Sequence, residues 1–425
     1  MGKLPLEGVR ILDMTVVLAG PYACMFMADY GAEVIRVESI QHFAPTTRGQ
    51  YARPPMGAMG YPNLDPGQRP WNRYATFNSM ARNKMSMTVD ITRPEGMDVF
   101  KQLVRVSDVF IENYVASSME KLGITYEMLR KEKPDIIFCK MSAYGDTGPH
   151  RDYRAHAVAV DLPTGHTSMR GYRDQDPSTL SGAMVGDPSE GVAAVFAVIS
   201  ALLYRDRTGK GQVIDICLAE NLMTYFPQAF MDYTMNGRVP PGTMGNRDPI
   251  AVPSGNFPCK GDDRWVSISV FNDEEWNGFC RAVGEEWARD ARFKDPLSRR
   301  KHEDELERLV GAWTIRHDYY DVMHLLQKHG VAAGPVLNDA AAFQDPHLKA
   351  RGFFVEESNE DAGTHLYPGF MTKMRNAPLS VRRGPVRLGE DNEQVYMELL
   401  GVSRAEYERL VETGHIGVDF APGVT

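Results

Sequence analysis

The sequence has little cysteine. Its five cysteines, Cys24, Cys139, Cys217, Cys259 and Cys280, are odd in number, widely spaced and without a CxxC pair. That pattern argues against a disulfide framework or a zinc site and suits a reducing cytoplasm. No apolar run reaches the roughly 18 residues expected of a membrane-spanning helix. The opening MGKLPLEGVRILDM lacks the apolar core and small-residue cleavage site of a secretory signal. It also lacks a serine or threonine at the myristoylation position after Gly2. Positive charge is not in excess. A net charge of −9 argues against bulk nucleic-acid binding, while an anionic small ligand held by a few local cations stays open. No internal repeat or low-complexity tract is visible. The expected class is a cytoplasmic globular protein without metal.

What is present is a chain of 425 residues, 43% apolar and 24% charged, long enough for two domains. The first half alternates strand and helix signals. Residues 9–14 (VRILDM), 32–38 (AEVIRVE), 85–91 (MSMTVDI), 108–113 (DVFIEN) and 134–141 (PDIIFCKM) read as strands. A helix with Pro21 at its first position follows the first strand, and Thr92 with Glu95 form a capping box for a helix to about residue 106. Strands separated by helices of this length predict an α/β fold with a doubly wound, mostly parallel, Rossmann-like sheet. The domain reading is a large α/β domain over 1–220, a Gly/Pro-rich linker over 221–250, a smaller α+β domain over 251–345, and over 346–425 a return linker and C-terminal segment that rejoins the large domain. The first strand–helix turn, TVVLAGPYA, lacks the GxGxxG of a dinucleotide site. RTGKGQ at 207–212 follows a helix and reads as its terminating turn, not as a phosphate loop.

One stretch, AMVGDPSEGVAAVFAVISALL at 183–203, holds an aspartate between glycine and proline. Val192, Val195, Phe196, Ile199, Leu202 and Leu203 recur at helical spacing behind it. Asp187 at N-cap, Pro188 at N1 and Glu190 at N3 form a capping box, and a structural cap of that kind is worth about 1 kcal/mol. The same position has chemical potential. A helix N-terminus keeps a carboxylate ionised and stabilises an anion leaving it, as a carboxylate nucleophile requires.

Ordered along the whole chain are PLEGVRILDMTVVLAGPYACMFMADYGAEVIRVES, RNKMSMTVDI, SDVFIENY, MEKLGI, SAYGDTGP, GDPSEG, RTGKGQVIDI and APLSVRRGPVRLGEDNEQVYMELLG. Together they resemble the class III CoA-transferase family, also called CaiB/BaiF. The resemblance implies a large doubly wound domain, a smaller second domain, and two ring-shaped subunits threaded through each other as an interlocked dimer. It implies an enzyme that moves CoA from an acyl-CoA donor to a carboxylic acid, with CoA as substrate and no permanently bound cofactor or metal. The family's catalytic aspartate falls on Asp187. It would attack the donor thioester, form an anhydride, and then carry CoA as an aspartyl thioester. CoA contacts fall on Val17, Leu18 and Ala19, Lys84, Lys121, Ser142 and Tyr144. Leu18 replaces a glutamine and Met85 an arginine. Ser39 replaces an arginine near the adenosine phosphates, which points to Arg36 or Arg82 as the substitute cation.

The family also contains acyl-CoA racemases, which use a histidine followed in sequence by an aspartate, the GD-type aspartate and a small-domain glutamate. Here the histidine, the residue after it and the glutamate fall on His156, Ala157 and Asn272, so a transferase is the expected activity and a racemase the alternative. Some such transferases pair two related subunits, so the expected assembly is a homodimer or a heteromer of that kind, and a non-catalytic subunit is a further alternative. Neither nucleic acid nor membrane is an expected partner. The long 40–74 stretch carries Arg48, Arg53, Arg69 and Arg73, candidates to hold a second carboxylate. It resembles the succinyl-CoA-dependent branch acting on succinates such as benzylsuccinate.

Overall fold

The computed structural model describes residues 3–155, 157–172, 174–175, 185–239 and 243–425. They divide into two units. The first comprises the described residues of 1–166, 182–231 and 352–425, and the second those of 167–181 and 232–351.

The first unit is built on six parallel strands: β1 (Arg10–Asp13), β2 (Glu33–Glu38), β3 (Lys84–Thr88), β4 (Val109–Glu112), β5 (Ile137–Ser142) and β6 (Val213–Cys217). Their spatial order is β3-β2-β1-β4-β5-β6, with every pairing parallel. Strands covered on both faces need continuous apolar runs. Val109–Glu112 and Ile137–Ser142 are buried at every position. Helix α1 (Ala19–Asp29) and the later α3 (Gly186–Thr208) cover one face, where Ala23, Met27, Ala194 and Val198 meet Ile11, Val109, Ile137 and Cys139. Helix α2 (Pro94–Arg105) covers the other, where Val99, Phe100 and Leu103 meet Leu12, Ile35 and Phe110. Val395, Tyr396, Leu410 and Ile416, from the far end of the chain, complete that second core. The same segment closes the free edge of β3: Ser86 N donates to Asp391 Oδ2 at 2.8 Å and Thr88 N to Asn392 Oδ1 at 2.7 Å. An edge strand satisfied in this way offers no template for further pairing.

The second unit has a three-stranded antiparallel sheet, β7 (Ser254–Pro258), β8 (Trp265–Ser269) and β9 (Ala332–Val336). Helices α4 (Asp273–Val283), α5 (Glu303–Thr314) and α6 (Tyr319–Lys328) pack around Val266, Ile268, Phe279 and Trp313.

The structure departs from the sequence reading in four places. Helix α2 begins at Pro94 with Arg93 as its uncapped N-cap, not at a Thr92 capping box. Asp90 draws the Thr92 hydroxyl (2.5 Å) and amide (3.1 Å) to its own Oδ1, and proline starts the helix where no N–H is needed. Helix α3 begins at Gly186, with Val185 as N-cap and no side-chain cap. Asp187 therefore lies inside the first turn, and the expected capping box is not formed. Pro21 is the third residue of α1, still within the turn that needs no donor. Finally, residues 221–250 include helix Pro227–Asn236, which the boundary between units crosses, and the second unit runs to 351.

Candidate active site

The strand order reverses between β1 and β4, and parallel sheets hold ligands outside the carboxyl ends of their strands at such a point. A cavity of about 510 Å³ opens there, reached by Thr15 and Val16 after β1, Ser39 after β2, Asp90 after β3 and Tyr114 after β4. Val37, Val89, Ile91, Met119 and Phe420 form its apolar walls.

Beneath it lies a buried charge network. Arg36 and Glu38 share one face of β2 by strand alternation, and Asp13 stands opposite Arg36 in register. Lys84 Nζ donates to Asp13 Oδ2 (3.1 Å) and to the Pro21 carbonyl (3.0 Å). Arg48 clasps Glu38 through two 2.7 Å bonds and lies 3.8 Å over the Phe77 ring. Burial alone would raise the Glu38 carboxyl, but Arg36 and Arg48 outweigh it and hold the group down at about 2. Arg36 is within ion-pair distance of Glu38 (3.2 Å) and Asp13 (3.5 Å), yet its Nε and Nη1 make no aligned hydrogen bond. Arg36, Arg48 and Lys84 outnumber Asp13 and Glu38, and the further carboxylate at the cavity, Asp90, is paired with Arg93 at 3.0 Å. The surplus positive charge, with Arg36 and Arg48 lining the cavity, suits an anionic ligand.

The turn from β1 into α1 is strained. Val17, β-branched, has φ of +65°, a region that such residues rarely occupy. It is held there because Val17 N donates to Thr47 Oγ1 (2.9 Å), while Val16 exchanges bonds with the Asn113 side chain at 2.7 and 2.8 Å. Leu18 is the N-cap of α1 and Ala19 its first residue.

Asp187 stands one turn before the place where α3 meets α1. At Gly191, one turn further along α3, an added Cβ would lie 2.9 Å from the Ala19 carbonyl and 3.3 Å from Ala23 N. Only glycine allows the first turns of α1 and α3 to meet so closely. Asp187 is 6% exposed, and Glu190 beside it 1%. Glu190 Oε1 has no hydrogen-bond partner, and burial first, then the Asp187 charge, pushes this carboxyl well above the usual range. Asn221 Nδ2 donates to Ser189 Oγ (2.9 Å), which donates to the Gly186 carbonyl (2.7 Å) and ties down the turn. Asp161 Oδ1 is 3.6 Å from where a Gly186 Cβ would stand, and His166 Nδ1 is 3.9 Å from Asp161 Oδ2.

The chain matches the CoA-transferase family III over residues 6–392. It belongs to that family. A succinate–glutarate CoA-transferase of Agrobacterium fabrum is 32% identical over 95% of this chain and 97% of its own length. A succinyl-CoA–L-malate CoA-transferase beta subunit of Chloroflexus aurantiacus is 30% identical, over 94% and 95%. A CaiB/BaiF family protein from Brucella suis superposes with a TM-score of 0.80 at 28% identity, covering 94% of this chain and all of that one. The chain is thus a CoA-transferase, an enzyme that passes CoA from an acyl-CoA to a carboxylic acid.

In this transferase the residues singled out from sequence fall into separate places. Val17, Leu18 and Ala19 lead into α1, and Asp187 lies one turn of α3 before Gly191, which meets the Ala19 carbonyl. Arg36 and Arg48 line the cavity, and Lys121 ends the short helix Ala116–Lys121 whose Ser118 and Met119 form its wall. Lys84 is buried against Asp13, and Arg82 against Asp29 and Glu357, so Arg36 is the one of the two candidate cations that reaches the cavity. Ser142 ends β5 with its Oγ buried and unpartnered among the described residues, and Tyr144 meets His150 and Tyr153 edge-on. Of the loop arginines, Arg48 is held by Glu38, Arg69 by Asp419 at 2.8 Å, and Arg73 by the carbonyls of Asp65 and Asp361. Arg53 alone is exposed without an ion pair among the described residues.

His156 lies outside the described residues. Asn272 is the N-cap of α4: its Oδ1 accepts from Glu275 N (2.9 Å) and its Nδ2 donates to Glu275 Oε1 (2.9 Å). That role needs no acid, and it gives Asn272 a structural reason to be where a racemase would hold its glutamate. Among the described residues no cluster of three or more His, Cys, Asp or Glu could hold a metal ion. Sequence reasoning missed Glu190 as a buried acid and the Glu38–Arg48 clasp. The carboxylates that end β1 and β2 were the available signal for that network.

Proposed function

We propose that this enzyme relays CoA through Asp187. The buried position of Asp187 in the first turn of α3, one turn before the contact of Gly191 with Ala19 of α1, is the observation that carries the reading. A carboxylate oxygen of Asp187 attacks the thioester carbonyl, a C–O bond forms, and the C–S bond breaks with its electron pair on sulfur. The CoA thiolate then attacks the Asp187 carbonyl of the anhydride and releases the donor acid, which carries one oxygen from Asp187. The acceptor carboxylate reverses the sequence. The amide donors of the α3 terminus stabilise the oxyanions, and burial keeps water from the anhydride.

The cavity over Arg36 and Arg48 takes the adenosine and phosphate part of CoA, and Lys121, at the end of the short helix that lends Ser118 and Met119 to the wall, adds a cation. Val17, Leu18 and Ala19 guide the pantetheine arm towards Asp187, with Ser142 and Tyr144 on the neighbouring strand end. Succinyl-CoA is the donor and a dicarboxylic acid the acceptor. The names of the two relatives support that choice, with a succinate bearing an apolar arm, such as benzylsuccinate, as the acceptor. Arg53 is the loop arginine left to meet the second carboxylate. The enzyme works as an interlocked dimer. Support comes from helix α3, whose outward side chains Val192, Phe196 (76% exposed), Leu203 and Tyr204 are left exposed among the described residues. The five free cysteines suit a reducing cytoplasm. Asp187→Asn, which keeps the shape and removes the nucleophile, should lower exchange between succinyl-CoA and the acceptor by on the order of 10³-fold or more. Parent-like turnover in that variant would remove the mechanism.

A further inference from the structure

Glu190 has no structural task that an apolar residue would not perform as well. It sits one turn into α3, three residues from Asp187, with 1% exposure and an Oε1 that bonds to nothing. The groups around it are Asp187 on its own helix, Cys139 on β5, Cys217 on β6 and, beside Gly191, Tyr22 on α1. Asp187 is the charged group that bears on it. A buried carboxyl in that company keeps its proton.

We propose that Glu190 is a positioning residue that couples a proton to the transfer: it holds the proton while Asp187 is a free carboxylate and yields it more readily once Asp187 carries CoA. This rests on the reading of Asp187 as the relay. The exchange itself moves no proton. An acyl-CoA and the Asp187 carboxylate become a free acid anion and the Asp187 thioester; one C–S bond breaks, another forms, and the negative charge leaves with the acid. Asp187 then no longer repels a charge on Glu190. Its proton affinity therefore falls in the thioester state. By reciprocity, raising the pH favours the state that binds fewer protons, which is the thioester.

The test equilibrates the enzyme with succinyl-CoA and succinate at a fixed ratio, from about pH 6 to about pH 9. The second carboxylate of succinate is partly protonated at the acid end of this range, so the ratio held fixed is that of succinyl-CoA to the succinate dianion. Intact mass after a rapid quench gives the fraction carrying CoA. In the wild type the ratio of thioester to free enzyme should rise by about tenfold, the scale of one unit charge acting on another nearby inside a protein. In Glu190→Gln the ratio should be flat. Glu190→Met, also flat, covers the case in which the amide is not accommodated. A flat wild type, or the same slope in both variants, overturns the proposal while leaving the Asp187 relay intact. Absence of any adduct overturns the relay, and the coupling falls with it.

Discussion

The acids of this molecule differ in what surrounds them, and their behaviour follows. Glu38 and Glu112 both end strands of one sheet. Two guanidinium groups hold Glu38 at about 2, while burial pushes Glu112 up to about 7. The folded protein thus keeps a proton on Glu112 between roughly pH 4.5 and 7 that the unfolded chain has lost. Stability drains away as pH rises through that window, by up to about 3 kcal/mol. Glu112→Gln retains an acceptor for the Tyr114 amide (2.8 Å) and should be more stable than wild type at pH 8 and not at pH 4. Thermal unfolding at the two values measures this. Arg53 permits a second comparison. Arg53→Ala should raise the acceptor KM by about tenfold, the loss of one charged hydrogen bond. Arg69→Ala, whose guanidinium is occupied by Asp419, should change it little. Equal effects would remove the assignment. At this scale the sequence was informative about identity and poor on environment. Asp187 stood out between glycine and proline, but Glu190 looked like an ordinary first-turn acid, because burial beneath a helix depends on what the chain brings over it from far away.

Among the elements, the first five strands were readable because each is a short, largely apolar run between turn signals. Helix starts were less so. Thr92 and Asp187 each precede a proline by one or two residues and each resembled a cap, yet both helices open without side-chain capping. Asp90 competed for Thr92, and Gly186 joined α3 itself. The outer apolar stripe of α3 misled in another way, since Phe196 and Leu203 share helical spacing with buried residues while facing outward. The contact of α1 with α3 is the element-level requirement of the site. Gly191→Ala should gain about 1 kcal/mol in helix propensity. It should lose more, by about 1–3 kcal/mol of overpacking, because the new methyl meets backbone. Net destabilisation in urea, with a raised donor KM, is the expected result.

For the whole molecule, a sequence reader could see an α/β portion, a Gly/Pro-rich passage and a second portion. The extent of the return was hidden. Residues near 391 and 416 complete the core of the sheet begun at residue 10, and nothing local announces a pairing that distant. Interlocked subunits make a kinetic prediction. Two differently tagged preparations mixed under native conditions should not form mixed dimers over days, and should do so after unfolding and refolding together. Native mass spectrometry reads the outcome. Exchange within hours, or a monomer, would contradict threading.

The relay of CoA through one carboxylate is examined most directly by mapping the covalent state. The enzyme is incubated with succinyl-CoA, quenched in acid and digested, and the peptides are weighed. The account predicts CoA attached to the peptide containing Asp187, released by hydroxylamine and absent from Asp187→Asn. CoA on any other residue, or full exchange activity with no attached CoA at any time after mixing, would contradict it.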